Sequence, residues 1–141
     1  MTGLSAASAV SCGVTTAPAN FGVYNPLSAA AATTTGTVEV ACTCTVVDCV
    51  AFAYRVEMTA GQSGNAASRE MRGPSGKLLY NLYQDSNHSA VWGSAASSYS
   101  VIYLLALFGS SQKTTVFARA PAGQKIRAGT YSDNVMVTIT Y

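Results

Sequence analysis

The sequence has few charged residues and no basic cluster. Charged side chains make up 10% of its 141 residues, against roughly a quarter in ordinary soluble domains. The net charge of +2 is spread along the chain, so no basic stripe or arginine-rich run is present to neutralise phosphates, and nucleic-acid binding is not indicated. A surface rich in Ala, Ser, Thr and Gly is typical of extracellular β-proteins.

Long apolar runs are also lacking. The longest, "VIYLLALFG" from Val101 to Gly109, is less than half of the roughly 20 residues that span a bilayer, so no transmembrane helix is predicted. The opening "MTGLSAASAVS" contains Ala7-Ser8-Ala9, which is typical of the end of a secretory signal, but no basic region or long apolar core precedes it. We therefore expect residues 1–11 to be a signal-peptide remnant or a short N-terminal segment, with a domain at 12–141.

Residues for catalysis are scarce, because the chain has one histidine. The densest polar stretch, "QDSNHS", contains Asp85, Ser86, His88 and Ser89. Such a string is more often a polar turn than a triad, because triads are assembled in space. The carboxylates are scattered, and Glu70 has Arg69 and Arg72 as neighbours suited to surface pairing. No enzyme activity and no cofactor are predicted.

Four cysteines point to an oxidising compartment. Cys12 stands alone, whereas Cys42, Cys44 and Cys49 are closely spaced. An even number in a low-charge, signal-like chain favours disulfides. A zinc site that included His88 is the alternative, but C-x-C-x4-C lacks the paired C-x2-C of strong zinc motifs. Pairing Cys44 with Cys49 would close a small loop and leave Cys42 for Cys12, although the residues alone leave all three pairings open.

Period-2 alternation predicts strands along most of the chain. The clearest examples lie in "GTVEVACTC", "VAFAYRVEM" and the C-terminal "TYSDNVMVTITY", and "KLLYNLYQD", "VIYLLALF" and "KTTVFARA" are further β-rich segments. Segments rich in Gly, Pro, Ser and Asn separate them. The alanine tract at 29–32 precedes threonines and glycine, so it is interpreted as a loop. Strands in succession predict an all-β sandwich.

The C-terminal strand raises a question of pairing. Its apolar side comprises Tyr131, Val135, Val137, Ile139 and Tyr141, with Asp133 on the same side. A strand of this kind needs a neighbour for its backbone N–H and C=O groups and a cover for its apolar face, yet the sequence ends there.

Three segments resemble the spore coat protein U domain, a family that includes the subunits of archaic, Csu-type chaperone-usher pili. They are "FGVYNPLSAAA" to "GTVEVACT" (21–43), "SREMRG" to "AVWG" (68–93) and "TVFARAPAGQKIRAGTYSDNVMVTITY" (115–141). They follow one another in the family's order and cover most of the chain. The chain departs from the family pattern at Cys44 and Cys49 and in "SVIYLLALFG".

The resemblance implies an immunoglobulin-like sandwich without its last strand. An open groove beside the C-terminal strand would be filled first by a periplasmic chaperone and then, after passage through an outer-membrane usher, by a strand from a neighbouring subunit. The groove wall would consist of Tyr131, Val135, Val137, Ile139 and Tyr141. The resemblance also implies a Cys12–Cys42 disulfide and a secreted protein that passes through the periplasm to the cell surface.

Two further interpretations stay open. The chain could instead be a self-contained secreted β-sandwich, such as a spore or cell-surface coat protein or a carbohydrate-binding module. As a pilus subunit it is expected at the tip, because the segment before Cys12 is too short to donate a strand. An exposed tip patch would then comprise Ile102, Leu104, Leu105, Leu107 and Phe108. The alternative for these residues is a buried strand.

Overall fold

The fold is almost entirely β-structure. The computed structural model describes residues 11–43, 51–93, 99–104 and 110–140. Its strands are β1 (Ser11–Ala17), β2 (Ala32–Thr43), β3 (Ala51–Met58), β4 (Arg69–Gly73), β5 (Gly76–Tyr83), β6 (Tyr99–Leu104), β7 (Ser110–Ala120) and β8 (Val137–Thr140). A short 3-10 helix at Gly61–Ser63 follows β3. Among the described residues, no helix is long and apolar enough to cross a membrane.

The strands form two antiparallel sheets. One has five strands in the order β1-β2-β7-β5-β4, and the other has three in the order β6-β3-β8. A tight turn at 73–76 closes the β4–β5 hairpin, where Gly73 lies opposite Gly76. The expectation of an all-β, immunoglobulin-like sandwich is confirmed.

The core lies between the sheets and follows the predicted alternation. Val38, Val40 and Cys42 of β2 are buried while their neighbours in the strand are less so. The remaining buried apolar side chains come from β3, β5, β7 and the segment before β6: Tyr54, Val56, Met58, Leu78, Tyr80, Leu82, Trp92, Val116, Ala118 and Ala120. Burial of alternate side chains is what holds each strand in its register.

The position of Arg69 differs from the one expected from the sequence. We expected it to pair with Glu70 at the surface, but its side chain is fully buried. Glu70 pairs instead with Arg72 at 3.6 Å and with Lys77 at 3.1 Å. Arg69 lies opposite Tyr80 in the β4–β5 hairpin, and the inward position of its backbone places the guanidinium in the core.

The C-terminal strand is shorter than the alternation predicted. Strand β8 begins at Val137 rather than at Tyr131. Ser132 instead exchanges two backbone hydrogen bonds with Arg72 of β4, at 2.8 and 3.1 Å, whereas β8 pairs with β3. The segment 131–136 therefore crosses from one sheet to the other, which prevents a continuous ladder. Its side chains nevertheless alternate between half-buried and exposed throughout.

Candidate functional site

Strand β8 leaves one side of its backbone without a strand partner in the part of the chain that the structure describes. It pairs with β3 on one side and ends the three-stranded sheet on the other. Strand β1, at the end of the five-stranded sheet, lies beside β8, but the two share no ladder among the described residues. The sandwich is therefore open between β1 and β8.

The exposure of a β1 side chain is evidence for this opening. Val14 lies directly opposite Val40 in the β1–β2 ladder, so both side chains project from the same face of the sheet. Val40 is 1% exposed, whereas Val14 is 41% exposed. The inner face of the sheet is thus covered at β2 and uncovered at β1, where another strand is needed to complete the second layer.

An open groove runs inward from this edge. It has a volume of about 960 Å³, comparable with the upper end of small-ligand pockets. Its floor consists of buried core side chains, among them Val38, Met58, Leu78, Tyr80, Leu82 and Val116, and its rim is formed by residues 16–24 on one side and 126–135 on the other. We call this feature the groove.

Three of the five residues predicted for the groove wall line it. They are Tyr131, Val135 and Val137. Ile139 packs against the core cluster as a half-buried side chain, and Tyr141 lies outside the described residues. These positions place one apolar face of the C-terminal segment toward the groove.

The loop after β1 supplies a wall that the sequence analysis did not assign. Phe21 packs edge-on against Tyr80, with ring centroids 6.2 Å apart. The hydroxyl of Tyr24 donates to the carbonyl of Pro121 at 2.5 Å and accepts the N–H of Gln124 at 3.1 Å. The signal in the sequence was two aromatic residues in a loop of small residues, since such rings in a loop need a surface to pack on.

A polar network closes one end of the groove. Asp133, which lines the groove, accepts a hydrogen bond from the Tyr80 hydroxyl at 2.6 Å and another from the backbone N–H of Gln62 at 2.8 Å. Burial, followed by the hydrogen bond to Asp133, raises the pKa of Tyr80. The tyrosine hydroxyl therefore stays protonated and acts as a donor.

Arg69 lies next to this network. Its guanidinium donates to the Thr59 carbonyl at 2.7 and 3.1 Å and to the Asn81 side-chain oxygen at 2.7 Å. Burial lowers the pKa of Arg69, and the attraction of Asp133 partly opposes that effect. The network joins the end of β3, the β4–β5 hairpin and the segment before β8.

One disulfide lies at the start of β1. Cys12 is bonded to Cys42, directly opposite it in the β1–β2 ladder, as the resemblance implied. Cys44 and Cys49 lie outside the described residues, so their pairing stays a prediction. Within the described part of the chain, no cluster of three or more His, Cys, Asp and Glu side chains could hold a metal ion.

The polar stretch at 85–90 is a hydrogen-bonded turn. The carboxylate of Asp85 accepts the N–H groups of Ser89 at 2.9 Å and Ala90 at 3.0 Å, and also the Ser89 hydroxyl. These bonds, the Ala90 N–H foremost, lower the pKa of Asp85 to about 2. The ring of His88 packs instead against Tyr83, with centroids 5.2 Å apart, and more distantly against Phe117.

The apolar run at 101–109 lies largely outside the described residues. Its first part belongs to β6, which pairs with β3. The side chains of Ile102 and Leu104, and residues Leu105, Leu107 and Phe108 as a whole, are not among those that the structure describes. Whether the run is exposed or buried stays a prediction.

Three comparisons relate this chain to known proteins: a family model, a relative in sequence and a solved structure. The model of the Spore Coat Protein U domain matches residues 2–138. "Protein U" of Myxococcus xanthus is 30% identical over 129 residues, covering 86% of this chain and 70% of that protein. A chain in the crystal structure of the CsuC-CsuE chaperone-tip adhesion subunit pre-assembly complex from archaic chaperone-usher Csu pili of Acinetobacter baumannii is similar in fold. Its TM-score is 0.65 at 22% identity, over 94% of this chain and 40% of that chain.

Proposed function

The chain belongs to the spore coat protein U domain family, and from that premise we propose that it is a structural subunit of a secreted chaperone-usher surface fibre. In this function the groove receives a β-strand from a neighbouring polypeptide. The chain spans less than half of the solved pilus-complex chain to which it is similar.

The observation that carries this proposal is the pair Val14 and Val40. The two side chains project from the same face of the five-stranded sheet, yet only Val40 is covered. A strand inserted between β1 and β8 would pair with the free side of β8 and cover this face, which is β-augmentation. Hydrogen bonds to the backbone would give affinity, and alternate side chains would fill the groove.

The apolar surface that an inserted strand would bury is large enough for a stable association with the groove. An inserted strand that buries four apolar side chains gains roughly 1.5 to 3 kcal/mol from each, or about 6 to 12 kcal/mol before the costs of association. Val135, Val137 and Phe21 offer apolar contacts on both sides of the groove.

An apolar groove of this size must be covered before assembly, because exposed apolar surface and free strand edges promote aggregation. We therefore propose a periplasmic chaperone as the first occupant, an outer-membrane usher as the site of assembly, and neighbouring subunits as the final partners. The location is the periplasm in transit and then the cell surface. No nucleic acid and no cofactor have a part in this function.

The test compares two neighbouring residues of β8. Val137 is half-buried toward the groove and Thr138 is exposed. With Val137→Asp, an inserted strand would bury an unpaired carboxylate, so incorporation into surface fibres should be lost. Thr138→Asp adds the same charge on the exposed outer side, opposite a Glu57 whose charge is already paired with Arg55, and it should assemble normally. Both variants are expressed with chaperone and usher, and fibre yield and chaperone co-purification are measured.

Two outcomes would contradict the proposal. Fibres of Val137→Asp at wild-type yield would mean that the groove takes no strand. Equal loss in Thr138→Asp would mean that the side of β8 facing the groove has no special part in assembly. Normal disulfide formation in each secreted variant shows that β1 and β2 have paired.

A self-contained coat protein is the second candidate, favoured by the match to the model of the Spore Coat Protein U domain. The two functions differ in the stability of the isolated chain. A fibre subunit should be unstable or self-associate alone and gain stability from a donor peptide, whereas a self-contained sandwich should be monomeric and indifferent to the peptide.

We also propose that the subunit lies at the tip of the fibre. For the chain itself we propose a domain at 12–141, preceded at 1–11 by a signal-peptide remnant or a short N-terminal segment. Electron microscopy of fibres labelled on this subunit distinguishes one label per fibre end from labels along the shaft.

A further inference from the structure

The groove lining includes a carboxylate. Asp133 occupies an inward position between Tyr131 and Val135, and it is half-buried among the residues that line the groove. A strand that alternates apolar residues without interruption would therefore place one apolar side chain beside a negative charge.

The contacts of Asp133 leave one side of the carboxylate available. Oδ1 accepts the N–H groups of Gln62 at 2.8 Å and of Asn134 at 2.9 Å, and Oδ2 accepts the Tyr80 hydroxyl at 2.6 Å. A carboxylate offers about four acceptor positions. Three are taken by these bonds, which leaves Oδ2 one acceptor position on a residue that lines the groove.

The carboxylate cannot easily turn toward solvent. Gly61 has a positive φ of 70°, and a Cβ placed on it would lie 2.2 Å from Oδ2. The backbone of the 3-10 turn is therefore packed against one side of the carboxylate, and three hydrogen bonds fix its orientation. An incoming strand must accept Asp133 where it is.

We infer that Asp133 makes the groove selective for a strand of a neighbouring polypeptide that presents a hydrogen-bond donor side chain, such as Thr or Ser, at the position facing Asp133. Apolar side chains face Val135 and Val137. This inference rests on the proposed function of the groove. The reason is desolvation: the strand removes water from Oδ2, and a buried carboxylate with an unfilled acceptor position is costly, whereas a hydroxyl donor restores a charge-assisted bond.

The test extends the chain itself. A β-strand is fused after Tyr141 through an Asn-Gly turn, so that it folds back antiparallel along the free side of β8. Moving away from the turn, its inward positions face Ile139 and Val137 of β8, then Val135 and Asp133 of the segment before it. Val and Thr are compared at the last two positions, because they are close in volume and both are β-branched.

The two positions are expected to show opposite preferences. At the position facing Asp133, Thr should raise the folding equilibrium constant about tenfold to a hundredfold over Val, the ratio that corresponds to a hydrogen bond to a charged group. At the position facing Val135, Val should be preferred. Urea unfolding of each fusion measures both ratios, and Asp133→Ala should remove the preference for Thr at the first position.

The outcomes separate this inference from the function on which it rests. If the fused strands stabilise the chain but Val equals or exceeds Thr opposite Asp133, the selectivity is refuted and the strand-binding function stands. If no fused strand stabilises the chain, the groove does not bind a strand, and both are refuted.

Discussion

Replacing Arg69 with methionine is expected to destabilise the protein strongly, because a buried cation is removed from the acceptors that hold it in the core. Arg69 is 0% exposed. It supplies two of its donors to the Thr59 carbonyl and one to the Asn81 side-chain oxygen, all within 3.1 Å. Methionine keeps most of the apolar volume of the side chain but none of its donors.

The magnitude follows from what each acceptor loses. The partly buried Thr59 carbonyl loses both guanidinium bonds, and an acceptor left unsatisfied costs up to about 1 to 3 kcal/mol. The Asn81 oxygen keeps the N–H of Leu82 at 2.8 Å, so it loses only one bond to a charged group, about 1.5 to 3 kcal/mol. The free energy of unfolding should therefore fall by about 2 to 6 kcal/mol, a large part of the 5 to 15 kcal/mol typical of a domain.

The assay is urea unfolding with Arg55→Met as the matched control. The side chain of Arg55 is 45% exposed and pairs with Glu57 at 2.9 Å, and exposed pairs contribute about 0 to 1 kcal/mol. A fall of less than about 1 kcal/mol for Arg69→Met, or equal falls for the two variants, would refute the reasoning that the network sustains the fold.

Two further predictions concern local geometry. Gly61→Ala should destabilise the protein by about 1 to 3 kcal/mol more than Gly64→Ala, because both have positive φ but only the first Cβ meets Asp133; equal effects in thermal melts would contradict this. The turn at Asp85 should resist acid, because a carboxyl whose pKa is lowered from 3.8 to about 2 in the folded state contributes stability above pH 3.8 and loses it as pH falls toward 2. The amide NMR signal of Ala90 should titrate near pH 2, and a midpoint near pH 4 would show that the carboxylate bonds are absent.

Sequence patterns predicted the strands in which large apolar residues alternate. In β2 and β3 the buried face could be named residue by residue, because Val38, Val40, Tyr54 and Val56 repeat with the period of the pleat. Strand β1, "SCGVTTA", and strand β4, "REMRG", were missed. Their small and charged residues carry no alternation, and they form strands because β2 and β5 offer partners for their backbone.

The geometry of the groove depends on long-range contacts, which a local sequence pattern cannot predict. The apolar side of the C-terminal segment was visible in the sequence, but the crossing of 131–136 between the sheets depends on Ser132 pairing with Arg72, some 60 residues away. The burial of Arg69 likewise depends on Thr59 and Asn81. Contacts across such separations are set by tertiary structure, so the neighbouring charge of Glu70 alone led us to assign Arg69 to the surface.

The disulfide at the start of β1 determines how the chain would respond to tension. Cys12 is the second residue of β1, and its bond to Cys42 spans a sequence separation of 30 residues. A pull on the amino end reaches Cys12 and passes through the sulfur atoms directly to β2, so the hydrogen bonds between β1 and β2 beyond Cys12 carry little of it. The disulfide therefore prevents about 100 Å of chain, at roughly 3.4 Å per residue, from extending under tension. In a fibre pulled along its axis, the first strand of such a subunit would hold its register until a covalent bond broke.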